Sequence, residues 1–200
     1  MPSSLLRACV VIAFAPWIWL TPALGQWAVS LEVGADRFWG GSVENAPERR
    51  SFKPYRPTTL GASLERRGTV GVGLRLRYTG ASFALEGEDA VVAVKGVFKV
   101  YSASPEISYR IASVGPGNQL RLTAGPLLEV WSLIDEESRV RVGIQGAVSL
   151  GIPLGGRFAG SVAAGAAVSA SPFKEDELDP PYELRALWRR SLAARLEYRL

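Results

Sequence analysis

The sequence predicts an all-β chain: a closed antiparallel up-and-down transmembrane barrel of about eight strands, preceded by a cleaved leader. Three observations carry this. Segment after segment alternates apolar and polar residues with a period of two, as strands do when their faces meet different surroundings. These runs are ~10–14 residues long, against ~5–6 for a globular strand and ~9–11 for a tilted membrane strand. Full charges stand mid-strand on the polar faces, at Arg75, Arg77, Arg121, Arg141, Arg195 and Glu197.

The leader comes first. Arg7 is followed by the 13-residue apolar run "ACVVIAFAPWIWL" (8–20), then by Ala23 and Gly25 at the −3 and −1 positions of a cleavage site. The run is short of the ~20 residues a spanning helix needs, and Pro16 and Pro22 oppose one long helix. Residues 1–25 are therefore expected to be a signal peptide and 26–200 the barrel. Cys9, the only cysteine, falls in the leader and precedes its apolar core, which argues against lipidation.

Along the mature segment, "QWAVSLEVGADRFWG" puts Trp27, Val29, Leu31, Val33, Ala35 and Trp39 on one parity, broken on that side only by Arg37. Residues 40–57, rich in proline, glycine and charge, read as a long loop. "TTLGASLE" alternates again, "RRGT" is a tight turn, and "VGVGLRLRY" sets Val70, Val72, Leu74, Leu76 and Tyr78 against Gly71, Gly73, Arg75 and Arg77, a strand that continues into "SFALEG". "EDAVVAVKG" reads as a loop or partly extended excursion. "VFKVYSASPEISYRIA" carries Tyr101, Ile107, Tyr109 and Ile111 on one parity, with Pro105 marking a bulge or edge irregularity.

"SVGPGNQ" is a turn. "LRLTAGPLLEVWSL" is a strand whose parity is expected to slip near Pro126, and "IDEES" turns. "RVRVGIQGAVSLGI" alternates throughout, "PLGG" turns, and "RFAGSVAAGAAVSA" groups Phe158, Val162, Ala164 and Val168. After the acidic loop "SPFKEDELDPPY", the segment from Tyr182 to Leu200 has ten even positions, nine of them apolar or aromatic, with Arg190 the exception and the residue expected to fit worst. A helical face through Leu184, Leu187, Trp188 and Leu192 competes, but it admits Arg195 and leaves out Leu196 and Leu200. Connections alternate between short ("RRGT", "SVGPGNQ", "PLGG") and long or charged, so one end of the barrel carries tight turns and the other carries loops.

Alternation alone does not say which face is inside. Aromatic placement favours an apolar exterior. Trp27 and Trp39 lie 12 residues apart on the apolar parity; at ~3.3 Å per residue and a ~40° tilt this is roughly 30 Å along a membrane normal, near the spacing of two aromatic girdles around a ~25 Å apolar band. Tyr78, Trp131 and Tyr198 also fall near strand ends. Closure follows from the backbone: in lipid every N–H and C=O must be paired internally. The inward charges must then pair, and Arg75, Arg77, Arg141, Arg195 and Arg199 are expected to form a network with Glu32, Asp36, Glu65 and Glu197. An interior of eight strands is filled by side chains, which argues against a large pore.

The pattern resembles the small eight-stranded bacterial outer-membrane barrels of the OmpA/OmpX-like type, over the whole mature segment. The leader, the alternating strands, the three short turns and a last strand running to the final residue carry the resemblance. Such proteins usually end in an aromatic residue read by the barrel-assembly machinery; here Leu200 replaces it, while Leu196 and Tyr198 keep the alternation. The resemblance implies export to the outer membrane of a Gram-negative-type bacterium and a monomer. Its implied partners are membrane lipids, lipopolysaccharide and, during biogenesis, that machinery. A peptidoglycan-binding domain, into which an OmpA-like protein can continue, is not expected.

Catalysis is poorly supported. Enzymes among outer-membrane barrels use a catalytic His, and this chain has none. The acidic runs 135–137 and 175–179 fall in expected solvent loops without the spacing of a calcium-binding loop, and the glycine pairs lack a phosphate-loop context. No catalytic, cofactor-binding or metal-ligating residue is therefore assigned, and no cofactor is expected. The segment from 26 on holds 22 basic and 19 acidic residues, too mild a balance for nucleic acid.

The sequence thus expects a non-enzymatic barrel in a structural or surface-interaction role, using its basic 40–57 and acidic 172–181 rim loops as contact surface. Two alternatives stay open. One is a narrow channel for ions or small solutes. The other is a secreted soluble barrel of lipocalin type binding an apolar ligand, in which Val72, Leu74 and Leu196 would point inward.

Overall fold

The structure, a computed structural model, describes residues 26–44, 51–86, 91–133, 138–171 and 182–200. Residues 1–25, where a signal peptide is expected, and the acidic runs 135–137 and 175–179 lie outside the described residues. Eight strands follow one another in chain order: β1 (Gln26–Glu44), β2 (Ser51–Arg67), β3 (Val70–Glu86), β4 (Val91–Ser113), β5 (Gln119–Leu133), β6 (Arg139–Gly155), β7 (Phe158–Ser169) and β8 (Tyr182–Arg199). Each pairs antiparallel with its sequence neighbours, and β1 pairs with β8, so the sheet is a closed barrel. The 182–200 segment is strand, not helix. Its register on β1 runs from Ala28↔Arg199 to Glu44↔Tyr182.

The three short turns sit where the sequence places them. Gly68–Thr69 joins β2 to β3, residues 114–118 join β4 to β5, and Gly156–Arg157 joins β6 to β7. Gly115, Gly117, Gly155 and Gly156 have positive φ, a backbone state that side chains with a Cβ rarely adopt. The strand ends at these turns, with the start of β1 and the end of β8, define one rim; the longer connections define the other.

Three expectations are corrected. The long loop over 40–57 is largely strand: β1 continues to Glu44 and β2 starts at Ser51. The excursion at 88–96 is likewise taken into β4 from Val91. In both places the hairpin ladder continues where the period of two is lost: 40–57 is broken by glycine, proline and charge, and 91–94 is apolar on both parities. The irregularity caused by Pro54 and Pro57 is absorbed as a register shift between Tyr55 and Thr58.

The third correction concerns β5, whose parity does not slip. Its odd positions Arg121, Thr123, Leu127, Glu129 and Trp131 are all buried inside the barrel, while Leu122 and Leu128 face out. Trp131 is therefore an interior residue with 0% exposure and belongs to no girdle.

The expected disturbance at Pro105 is real and has a partner. β4 and β5 keep one register from Phe98↔Leu133 to Ala103↔Leu128 and again from Ile107↔Ala124, but the three positions between are unpaired. That register sets Pro105 opposite Pro126. Neither has an N–H, so a reciprocal pair of ladder bonds is missing and both adjacent pairings lapse with it. Ser104 Oγ donates to the Pro126 carbonyl at 2.6 Å and supplies the donor the ladder lacks.

Candidate functional site

Parity decides the surroundings of every strand residue. The apolar parity points outward: Leu31, Leu74, Val142, Ile144, Val162 and Leu196 are among the exposed large apolar residues, from 46% to 67% exposed. The charged parity is buried inside, including Glu32, Asp36, Arg75, Arg77, Arg121, Glu129, Arg189 and Glu197. Water would not tolerate so broad an apolar exterior; a bilayer requires it. The soluble lipocalin-like alternative needs the opposite orientation and is overturned, since Leu74 and Leu196 face out.

Outward aromatics mark the two ends of the wall. Trp27, Tyr109 and the Phe158–Tyr198 pair, 5.2 Å between ring centroids, lie toward the short-turn rim. Trp39 stacks on Trp188 at 6.2 Å toward the other rim, where Tyr78 also meets Tyr101 at 5.3 Å. The apolar wall between β2 and β5 carries a shallow depression of about 500 Å³ bordered by Leu60, Leu76, Tyr78, Tyr101, Ala103 and Leu128.

The interior is a connected set of ion pairs. Glu32 is its hub: Arg195 Nε donates to Oε2 at 2.6 Å, Arg77 Nε lies 3.2 Å from Oε1, and Arg75 Nε lies 3.9 Å from Oε2. Arg75 reaches across to Glu106 at 3.0 Å, and Gln145 Nε2 donates to the same carboxylate at 2.8 Å. Arg77 Nη2 also donates to Asp36 at 2.9 Å, and Thr59 Oγ1 donates to Asp36 Oδ2 at 2.9 Å.

Toward the short-turn rim a second group centres on Glu65 and Glu197. Arg67 bridges them, at 2.8 Å to Glu65 and 2.5 Å to Glu197. Ser108 donates to Glu65 at 2.5 Å and Arg121 donates to Ser108 at 2.8 Å. Arg199 lies 3.6 Å from Glu197. The cavity among Ser63, Glu65, Arg67, Ser108, Arg121 and Arg195 measures about 10 Å³, room for about one water molecule.

Toward the opposite rim the filling changes character. Phe38, Val100, Leu127, Trp131 and Leu187 are inward and nearly fully buried, with Phe38 edge-on to Trp131 at 5.9 Å. An ion pair is set among them: Arg189 Nη1 donates to Glu129 at 2.9 Å, and Trp131 Nε1 donates to the other oxygen at 3.2 Å.

Of the expected network, Arg75, Arg77, Arg195 and Arg199 do pair with Glu32, Asp36 and Glu197, and Glu65 joins through Arg67 and Arg121. Arg141 lies nearer the rim and donates to the Ser171 carbonyl at 2.5 Å. Sequence reasoning missed Arg67, Arg121, Glu106, Glu129 and Arg189 as members, although Arg121 reads as a charge on a polar face. Parity alone carried the signal for Arg189. Glu129 was hidden by the expected slip at Pro126, and Glu106 by the proline before it. Among the described residues no group of three or more Asp, Glu, His or Cys is placed to hold a metal ion.

No protein-family model and no curated protein matches the chain. Solved structures do match in fold. Neisserial surface protein A (NspA) superposes with a TM-score of 0.54 at 11% identity, covering 87% of this chain and 97% of that one. The outer membrane protein OprG from Pseudomonas aeruginosa gives 0.55 at 12% identity, covering 88% of this chain and 96% of that one. The chain therefore shares the fold of small eight-stranded outer-membrane barrels, as its sequence pattern leads one to expect.

Proposed function

We propose that this chain is a non-enzymatic, monomeric outer-membrane barrel of a Gram-negative-type bacterium, exported by the signal peptide over residues 1–25. Its work is done by its outer wall and loop-bearing rim. The observation that carries this reading is the contrast between filling and wall. The inside is occupied by paired charges at its centre and by apolar side chains toward the loop-bearing rim. The outside is a continuous apolar belt bounded by aromatics. The cavity among the inward charges near the short-turn rim has room for about one water molecule, and an eight-stranded interior is filled by side chains, which speaks against the channel alternative.

Catalysis has none either. Without histidine, base work near neutrality would fall to the carboxylates, and the described inward ones are committed to arginines. What is left for recognition is the loop-bearing rim and the lipid-facing wall, with membrane lipids and lipopolysaccharide as the partners in reach. The barrel-assembly machinery is the proposed partner during insertion.

Cell fractionation with heat-modifiable gel migration tests the location. The protein is expected in the outer-membrane fraction, migrating faster unboiled than boiled; recovery as a soluble periplasmic protein would sink the reading. Planar-bilayer recordings test the closed interior. A flat trace across voltages and salts is expected, and stepwise conductance would restore the channel.

A further inference from the structure

Two residues break the apolar parity of their strands, Arg37 in β1 and Arg190 in β8. The fold sets them directly opposite each other as cross-strand partners. Both are exposed on the outward face. Below them, toward the short-turn rim, each strand is uninterruptedly apolar on that face: Val29, Leu31, Val33 and Ala35 on β1, and Leu192, Ala194, Leu196 and Tyr198 on β8. Above them is the stacked Trp39–Trp188 pair, with the Arg190 guanidinium 4.7 Å from the Trp39 ring centroid. Two neighbouring strands thus switch from apolar to cationic to aromatic in the same register.

The height fits a membrane boundary. Arg37 is ten residues beyond Trp27, which at ~3.3 Å per residue and ~40° tilt is about 25 Å along the normal, the height of the apolar band. Like charges directly opposite across a strand pair repel, and no carboxylate among the described residues pairs with either. The strand carboxylates whose side chains are described, Glu32, Asp36, Glu65, Glu106, Glu129 and Glu197, all point inward. The neighbour of Arg190 on β7 is Ala166, whose small side chain leaves the guanidinium edges uncovered. Lys99, another outward cation near the loop-bearing rim, stands alone between Gly80 and Ser132.

We propose that Arg37 and Arg190 form a clamp for the phosphate of an acylated lipid in the outer leaflet. The two guanidiniums would grip the phosphate oxygens, Trp39 and Trp188 would border the headgroup, and the acyl chains would lie along Val33, Ala35 and Leu192. Guanidinium geometry favours paired hydrogen bonds to phosphate. This inference rests on the membrane reading above and adds a ligand class and a site to it.

The test uses protein folded into phosphatidylcholine vesicles with or without lipid A, in its phosphorylated or dephosphorylated form. Lipid retained on the protein after extraction into detergent is measured by native mass spectrometry. Phosphorylated lipid A should be retained at least about tenfold better than the dephosphorylated form, the scale of losing charge-assisted hydrogen bonds. Arg37→Gln with Arg190→Gln should erase that preference, Arg37→Lys with Arg190→Lys should keep part of it, and Lys99→Gln should behave as wild type. Heat-modifiable migration confirms that each variant is folded. Unchanged retention in the double Gln variant would overturn the clamp. Displacement by excess inorganic phosphate would overturn the assignment to a lipid. Failure to insert into vesicles would overturn the membrane reading itself, whereas insertion without phosphate preference would overturn only the clamp.

Discussion

The two halves of the barrel interior are filled by different chemistry. Near the centre and toward the short turns, Glu32, Glu65, Glu106 and Glu197 are shared among Arg67, Arg75, Arg77 and Arg195. Toward the loop-bearing rim, Phe38, Val100, Leu127, Trp131 and Leu187 pack together, with Arg189 and Glu129 paired among them. Both arrangements leave little room for water, by opposite means. The ionic half is closed because each guanidinium is held by a carboxylate; the apolar half is closed because side-chain volume fills it. Failure should differ accordingly: breaking a pair strands a charge, while trimming a ring leaves a void.

The largest expected effect tests the ionic half at its hub. Glu32→Ala removes the carboxylate shared by Arg75, Arg77 and Arg195. It should cost about 5 kcal/mol, the upper end for breaking a buried pair, read as a drop in the urea midpoint of refolded protein in micelles. Replacing Glu32 and Arg77 together by apolar residues should cost less than Glu32→Ala alone. If it costs more, the pairing is a net source of stability and not just a way of neutralising inward charge.

The matching change in the apolar half is Trp131→Ala. It should cost about 3–4 kcal/mol from the lost ring volume, measured the same way, and planar-bilayer traces should stay flat because the ionic half remains closed. Conductance in this variant would show that the apolar filling is the only barrier. A smaller effect is expected where the halves meet. Thr59 donates to Asp36 and shares a 3.0 Å hydroxyl contact with Thr79, and Thr59→Ala should cost about 1–2 kcal/mol. The smallest belongs to the short-turn rim. Arg199, 35% exposed and 3.6 Å from Glu197, should cost no more than about 1 kcal/mol as Arg199→Gln, because solvent screens the pair. A cost as large as that of Glu32→Ala would mean the ionic filling extends undiminished to the rim.

The same contrast explains what was legible in the sequence. Period-two alternation is visible only where the two faces want different chemistry. In β3, Leu74 and Leu76 against Arg75 and Arg77 leave no doubt about strand or side. In β5, Leu127 and Trp131 line the apolar half, so "GPLLEVW" is greasy on both faces and looks like a slipped strand. That reading cost Glu129 its place in the network and put Trp131 in the wrong belt. Over 40–44 and 51–56 the signal fades for another reason: glycine, proline and charge interrupt the alternation, so a hairpin there looks like a loop. The ion pairs around Glu32 were foreseen because every inward charge needs a partner, but their connectivity depends on which strands closure brings face to face.

The opposed prolines of β4 and β5 carry one more consequence. Strands of a barrel can in principle pair two residues out of step without turning any side chain to the wrong face. Here that alternative is penalised. A Cβ on Gly125 would run into the Pro105 carbonyl oxygen, and glycine occurs at no other inward position of β5. A shift by two would bring Thr123 or Leu127 against that oxygen and would carry the Ser104 hydroxyl away from the Pro126 carbonyl it serves. A gap in the hydrogen-bond ladder thereby becomes a record of the correct alignment, legible to the chain only when Pro105 and Pro126 meet.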